Sequence, residues 1–563
     1  MQAHDWTQLA LYLAALLALT PLLGGFMARV FAGGRTFLSP LLAPVERLIY
    51  RLGGVDAAKE MTWLGYLGAL LAFNLAGGVL TLVQMLTQAW LPLNPQHLPN
   101  VPFALALNTA VSFMTNTNWQ AYSGEATMSY LTQMTGLAVH NFTSAATGIA
   151  ALLALIRGLT RKETTALGNF WADLTRSTLY VLLPLSFAFA LVLVSQGVIQ
   201  NFRAYDTATT LEHAEQIIPQ GPAASQIAIK QLGTNGGGFF GQNSAHPFEN
   251  PTPLSNFLEM LAILALPSAL VFTFGKMVGD QRQGWAIWAA MLALFLAGFA
   301  ASWMAEAQYN PATHLAGSIE GKEQRFGVMN SVLWSTATTA TSNGSVNAMH
   351  DSLSPIAGLV CLLNMQLGEI VFGGLGCGLY SMLLFVILTV FIAGLMVGRT
   401  PEYLGKKIEA PEIRWAIVGI IAPCALILIG AAIGVASPAG LSSLNNNGPH
   451  GLGEILYAFT SAAANNGSAF AGLNANTGFY NCALAVSMLL GRFLILIPVL
   501  AIAGSMAKKK VAPPSAGTFP TTGPVFTLLL IGVILIVAGL TFFPVLSLGP
   551  VVEHLLMQAG RTF

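Results

Sequence analysis

The chain has 563 residues, 54 % of them hydrophobic and 8 % charged, with 24 Lys+Arg against 23 Asp+Glu and a formal net charge of +1. Soluble domains carry about 25 % charged residues, disordered chains are poorer in apolar residues and richer in net charge, and nucleic-acid binders show a basic excess. The composition therefore excludes these classes and leaves an all-α polytopic membrane protein.

Apolar runs of about 20 residues, enough to cross a bilayer, predict spans near Leu9–Met27, Trp63–Leu86, Tyr130–Ile156, Thr178–Val198 and Phe257–Gly275. Further runs follow near Trp285–Ala305, Ile356–Val397, Trp415–Ala436, Cys482–Met506 and Val525–Leu546. The first lacks the basic leader of a signal peptide, because Asp5 is the only acidic or basic side chain before Arg29. It reads as an uncleaved span. The four cysteines, Cys361, Cys377, Cys424 and Cys482, sit in apolar runs without metal or disulfide spacing and read as packing residues.

Ile356–Val397 is too long for one crossing and contains a Gly-rich string at Gly373, Gly374 and Gly376, with Glu369 just before it. Two short spans or one span broken by an intramembrane loop both fit its length. Charge decides between them. With one broken crossing, most of the 24 basic residues fall in alternate loops, from Arg29 to the Lys508–Lys510 run. The opposite loops hold only Arg203, Lys230, Lys322 and Arg325. The positive-inside rule then selects a broken span and places both termini outside.

Four short semi-apolar stretches lie between paired spans, all on the outside: Phe103–Glu125, Ser225–Pro253, Met329–Asp351 and Gly453–Leu473. Their polar cores align as Thr115-Asn116-Thr117, Thr234-Asn235-Gly236, Ser342-Asn343-Gly344 and Asn465-Asn466-Gly467. Internal repetition of this kind is an architectural signal. It predicts a leading helix and loop (1–60), four helix–pore-loop–helix repeats (61–160, 161–282, 283–412 and 413–510) around a pseudo-fourfold pore, and a trailing helix (511–563), ten transmembrane helices in all.

Irregular backbone at membrane depth survives only where it lines a wet cavity or is buried in protein. A short helix entering from outside brings its carbonyl end to the membrane centre, which favours a cation. Four such loops can form a cage of carbonyls that replaces an ion's hydration shell. No acidic residue lies in the four tripeptides, which suits a weakly hydrated monovalent cation better than Ca²⁺ or Mg²⁺.

Over essentially its whole length the chain resembles the potassium-binding subunit of the bacterial Kdp potassium-transporting ATPase, within the superfamily of potassium transporters. The resemblance is carried by TNTNWQAYSGE, QLGTNGGGFFGQNSAHPFENPTP, TSNGSVNAMHDSLSP and SAAANNGSAF. It implies high-affinity K⁺ uptake across the inner membrane. It also implies work with a P-type ATPase subunit, a single-span accessory subunit and often a small membrane peptide. Carried over, the twelve tripeptide residues form the K⁺ filter, Gln120 stands beside it and influences selectivity, and Arg492 lies below it in the pore. The Glu369–Gly376 break blocks direct flow to the cytoplasm.

Arg492 is the only basic residue inside a span, where a charge is costly and usually faces a cavity. Glu125, Glu249 and Asp351 follow filters one to three and read equally as charges that concentrate cations at the mouth or as ordinary solvated charges. His246 and His350 lie near the mouth without a second ligand set. The Lys508–Lys510 run suits an orientation signal or contact with anionic lipid. The chain has neither a phosphate-binding P-loop nor the DKTGT motif of P-type ATPases, so pumping needs a partner that hydrolyses ATP. The alternative is a stand-alone K⁺ channel or symporter of the same superfamily.

Overall fold

The computed structural model describes residues 3–312, 314–513 and 518–561; residues 514–517 of the expected trailing segment lie outside them. Ten helices among the described residues are long and apolar enough to span a membrane. They sort by burial into an inner and an outer set. The helices after the four tripeptides, Thr132–Thr160, Pro253–Met277, Cys377–Met396 and Gly478–Ala507, are 83, 83, 72 and 61 % buried over their apolar windows. Those opening each repeat, Trp63–Trp90, Phe170–Ser195, Gln281–Ala307 and Ala410–Ala436, are 28, 39, 50 and 33 % buried. Asp5–Phe31 and Pro524–Gln558 are as exposed as the outer set, at 28 and 33 %.

Composition explains the sorting. Lipid tails are as apolar as leucine, so helices associate in a membrane through close packing and small residues. The first inner helix carries the fully or nearly fully buried run Ala145–Ile156. Its Gly158 approaches the fourth inner helix so closely that a Cβ would lie 2.5 Å from the Ala503 carbonyl oxygen. The outer helices instead present large residues such as Leu80, Phe187, Ile421 and Leu191.

Each tripeptide follows a short helix: Phe103–Met114, Ala223–Leu232, Gly327–Ala340 and Gly448–Ala464. The long seventh run is broken as expected, into Pro355–Gln366 and Cys377–Met396. Between them, Gly368, Glu369, Phe372, Gly373 and Gly376 all adopt positive φ. This irregular segment is buried, with Glu369 3 % exposed and Ile370, Val371 and Phe372 fully enclosed.

The fourth span begins at Phe170, not Thr178. Charged Asp173 and Arg176 hid its first two turns in the sequence. Asp173 is neutralised by Arg157 and Arg176 by Glu46, and Asn169 caps the start by accepting from the amides of Trp171 and Ala172. The expected first loop contains the helix Ser39–Gly53, which has no buried residue and exposes Leu41, Leu48 and Leu52. Such an amphipathic helix suits a membrane surface. Small antiparallel hairpins, including Asp206–Thr209 with Glu215–Ile218, decorate the loops of the helical frame. Cys361 is buried, whereas Cys482 is exposed.

Candidate functional site

The four tripeptides are joined in a closed ring of side-chain hydrogen bonds. Asn116 Nδ2 donates to the Thr234 carbonyl at 3.0 Å, linking repeat one to two. Asn343 Nδ2 donates to the Lys230 carbonyl at 3.1 Å, linking three to two. Ser342 Oγ donates to the Asn465 carbonyl at 2.8 Å and Asn466 Nδ2 to the Thr338 carbonyl at 2.9 Å, linking three and four. Asn465 Nδ2 closes the ring on Thr117 Oγ1 at 2.9 Å.

Backbone geometry corrects the expected alignment of repeat one. In repeats two to four the first and third tripeptide residues have positive φ: Thr234 and Gly236, Ser342 and Gly344, Asn465 and Gly467. In repeat one the matching pair is Asn116 and Asn118. The turn leaving each short helix agrees: the amides of Thr117, Asn235, Asn343 and Asn466 each donate to the carbonyl five residues earlier. The equivalent of Thr234-Asn235-Gly236 is thus Asn116-Thr117-Asn118, one residue later than Thr115–Thr117. Thr115 ends the short helix, its hydroxyl donating to the Val111 carbonyl at 2.9 Å and lying 2.8 Å from Thr117 Oγ1. The string Thr-Asn-Thr-Asn contains both registers, so the sequence could not choose between them. Asn is one of the few non-glycine residues that enter the left-handed region readily, which explains Asn118 where the other repeats have Gly.

The second-position carbonyls, of Thr117, Asn235, Asn343 and Asn466, accept no hydrogen bond among the described residues, although all four residues are fully buried. Buried backbone carbonyls are nearly always paired, so four without a protein donor at one repeat position mark a candidate cation site. Glycine lets the loops meet there. A Cβ on Gly236, Gly344 or Gly467 would collide with the carbonyl oxygen of Asn343, Asn466 or Thr117 in the next repeat. Asn118, Gly236, Gly344 and Gly467 all line a vestibule of about 730 Å³ on one side of the ring.

Gln120 lines the same vestibule and clamps repeat two from both sides: Nε2 donates to the Gly238 carbonyl at 3.0 Å and Oε1 accepts from its amide at 2.8 Å. Glu369 faces the side chains of Ser342 and Asn466, and its Oε1 has no hydrogen-bond partner. In the same break Gly373 packs against Gly378, Gly374 against Ser342 and Gly376 against Gly148. Arg492 is 5 % exposed. Its Nη2 donates to the Ser144 carbonyl at 3.3 Å, and Ser144 Oγ donates to Asn116 Oδ1 at 2.7 Å.

The expected mouth charges are mostly engaged. Glu249 is enclosed in an ion pair with Lys230, itself fully buried in the last turn of the second short helix. Glu125 Oε2 accepts from the Gly241 amide at 2.7 Å, and Asp351 Oδ1 lies 3.0 Å from His450 Nε2. Burial pushes the His350 imidazole down to about 4, with nearby Lys322 adding to the effect, so it is neutral where it meets the Tyr457 hydroxyl at 2.8 Å. In the Lys508–Lys510 run, Lys509 pairs with Glu412 at 2.6 Å and Glu409 at 3.1 Å. Sequence reasoning missed Asn118, Lys230 as a filter support, and Ser144. Ser144 carried no signal beyond its place in an apolar helix.

The sequence profile of the family described as KdpA, potassium-transporting ATPase A subunit, matches residues 10–555. The chain belongs to this family. A protein of Rhodospirillum centenum named potassium-transporting ATPase potassium-binding subunit is 59 % identical over 100 % of this chain and 99 % of its own length. One of the same name from Solibacter usitatus is 58 % identical over the full length of both. Among solved structures, the potassium transporter TrkH from Vibrio parahaemolyticus shares the fold, with a TM-score of 0.53 at 14 % identity over 88 % of this chain and 98 % of the TrkH chain. A KdpA-family chain with ten apolar helices is a multi-pass membrane protein, and its family name makes it a subunit of a larger complex.

Proposed function

We propose that the chain binds and selects K⁺ and passes it across the bacterial inner membrane as the channel-like subunit of an ATP-driven, high-affinity uptake pump. The observation that carries this reading is the set of four buried, unpaired carbonyls at Thr117, Asn235, Asn343 and Asn466, held in a hydrogen-bonded ring. Neutral carbonyl dipoles can replace the hydration shell of a monovalent cation. The family and the names of its members supply the choice of K⁺.

In this reading K⁺ is the cargo. It enters from the vestibule, which faces outside with both termini, and meets the filter residues Asn116–Asn118, Thr234–Gly236, Ser342–Gly344 and Asn465–Gly467. Gln120 braces the second loop from the vestibule side. Below the ring, Glu369 offers an unpaired carboxylate oxygen to an arriving cation, Arg492 sets an opposing positive charge, and the break with its glycines at 373, 374 and 376 bars the straight route to the cytoplasm. The chain lacks a nucleotide-binding motif, so energy comes from a P-type ATPase subunit. A single-span subunit and a small membrane peptide complete the complex, with anionic lipid against the Ser39–Gly53 surface helix.

Gly236→Asp tests the filter assignment. A Cβ there meets the Asn343 carbonyl, and the carboxylate adds a charge to a neutral ring. The expected result is an assembled complex with weakened or altered K⁺ selectivity. An unchanged apparent K⁺ affinity would contradict the assignment.

A further inference from the structure

Behind Phe470, which lines the vestibule and stacks on His450, four ionisable side chains from three separate elements converge. His450 and Glu454 sit four residues apart on the helix Gly448–Ala464, the spacing that places two side chains on one face. Asp351 belongs to the turn after the third filter, and Glu553 to the C-terminal helix Val552–Gln558. His450 Nε2 lies 3.0 Å from Asp351 Oδ1, and Nδ1 lies 2.8 Å from Glu553 Oε1. One ligand atom each of Asp351, His450 and Glu454 lie within 4.8 Å of one another.

Two independent features mark this as more than an acidic cluster. Glu454 is fully buried, yet its Oε2 has no hydrogen-bond partner; only Oε1 is engaged, accepting from Asn446 Nδ2 at 2.7 Å. A cation that meets a buried, unpaired carboxylate oxygen offsets the cost of burying it. The second is the facing loop at Gly472, which leaves the two carboxylates unobstructed. A Cβ there would sit 2.9 Å from Asp351 Oδ2 and collide with Glu454 Oε1. The Phe470 ring lies parallel to the imidazole, 9° between planes at 6.0 Å, and holds its orientation.

We propose that Asp351, His450 Nε2 and Glu454 form a binding site for a divalent transition metal of the zinc class, with Glu553 orienting the imidazole. The chemistry selects the metal. One imidazole nitrogen and two carboxylates are a zinc-type donor set, with a fourth position left for water. Calcium and magnesium prefer all-oxygen shells of six or more ligands. A metal-binding histidine usually donates its other ring N–H to a carboxylate, the place Glu553 occupies at Nδ1. Two carboxylates also balance the charge of a divalent ion. Bonds near 2.1 Å set ligand atoms about 3.4 Å apart, so His450 Nε2 and Asp351 Oδ1, now hydrogen-bonded at 3.0 Å, part slightly, and no ligand atom starts more than 4.8 Å from another. The metal takes the place of the Nε2 proton, which leaves to solvent. Once bound, it ties the third filter's exit turn, the fourth short helix and the C-terminal helix together.

The test uses the full chain in its complex, purified without a polyhistidine tag, stripped with chelator and incubated with zinc sulfate. After desalting, metal is counted by mass spectrometry and thermal unfolding is followed with and without zinc. The site predicts one zinc per chain that survives desalting and a zinc-dependent rise in unfolding temperature. Both should be lost in Glu454→Gln and His450→Ala, and Glu553→Gln should weaken zinc affinity 10- to 100-fold. If His450→Ala fails to assemble, Glu454→Gln and Asp351→Asn carry the test, since each keeps the side chain's shape. Wild type retaining no more zinc than Glu454→Gln would overturn the proposal and leave His450 as the centre of an ion-pair clasp.

Discussion

The backbone amide of Leu375 donates to Thr234 Oγ1 at 2.8 Å. The segment that interrupts the seventh span is therefore fastened to the proposed filter of repeat two, a link between residues 141 positions apart. Thr234→Val keeps the shape but removes the acceptor, leaving a buried N–H unpaired at a cost of about 1–3 kcal/mol. We expect the barrier to loosen. Passive ⁸⁶Rb⁺ flux through proteoliposomes with an inactive ATPase should rise in Thr234→Val and stay near wild type in Thr234→Ser. Equal flux in all three would separate the barrier from this hydrogen bond.

The shifted register of repeat one makes a second prediction. Asn118 has φ 55° and occupies the position filled by Gly in the other repeats, so Asn118→Gly should retain K⁺ uptake. Asn118→Val should lose most of it, because a β-branched residue is strained in that region by about 1–2 kcal/mol and its methyls crowd Gly237, whose own Cβ would lie 3.0 Å from Asn118 Cβ. Thr115→Ala, outside the filter in this register, should change the apparent K⁺ affinity less than Asn116→Ala. The reverse order would restore the Thr115–Thr117 alignment.

Lys230 and Glu249 are both fully buried and paired. Removing one partner of such a pair typically costs about 3–5 kcal/mol, while replacing both with apolar residues is often neutral. Lys230→Met should thus reduce assembled complex sharply, and Lys230→Met with Glu249→Leu should recover much of it on size-exclusion chromatography. Recovery of assembly without recovery of uptake would give the side-chain pair a role in uptake beyond assembly. An assembly defect that the double variant leaves unchanged would contradict the charge-pair account.

The surface helix Ser39–Gly53 is held through Glu46, which accepts from Arg176 Nε at 2.8 Å and from the hydroxyls of Tyr180 at 2.7 Å and Tyr50 at 2.8 Å. Burial pushes the Glu46 carboxyl up, but these hydrogen bonds outweigh it and hold it below the usual carboxylate range. The folded form is thus favoured above the ordinary carboxylate pKa of about 4.3, and that stabilisation fades as pH falls below it. Amide-exchange protection factors over residues 39–53, taken relative to the intrinsic rate at each pH, should fall on acidification through that window. Glu46→Gln should have low protection factors already at pH 7 and show little further change. A variant as protected as wild type at pH 7 would rule out this anchor.

Much of the fold was legible in the sequence because hydropathy and loop charge act through composition alone. The broken span at Gly373–Gly376 and the four short helices followed from run length and repetition. What stayed hidden depends on three-dimensional pairing. The start at Phe170 was masked by Asp173 and Arg176, whose charges cancel only against Arg157 and Glu46. The Ser39–Gly53 helix was masked because its apolar face is exposed rather than buried. In the candidate site, residue types were readable but register was not: Thr115-Asn116-Thr117 and Asn116-Thr117-Asn118 fit the pattern equally, and backbone φ separates them. Glu249 read as a mouth charge because its partner Lys230 also read as a loop residue. His450 gained meaning only when folding brought Asp351 and Glu553 to it.

The central claim is that this chain binds and conducts K⁺ but draws its energy from a partner. The most direct test is ⁸⁶Rb⁺ or K⁺ uptake in a bacterium lacking its own potassium-uptake systems, expressing this chain alone or with the P-type ATPase and accessory subunits. The account predicts uptake only with the partners, abolished when the ATPase is inactivated. Sustained uptake by the chain alone would contradict it and identify an autonomous channel or symporter.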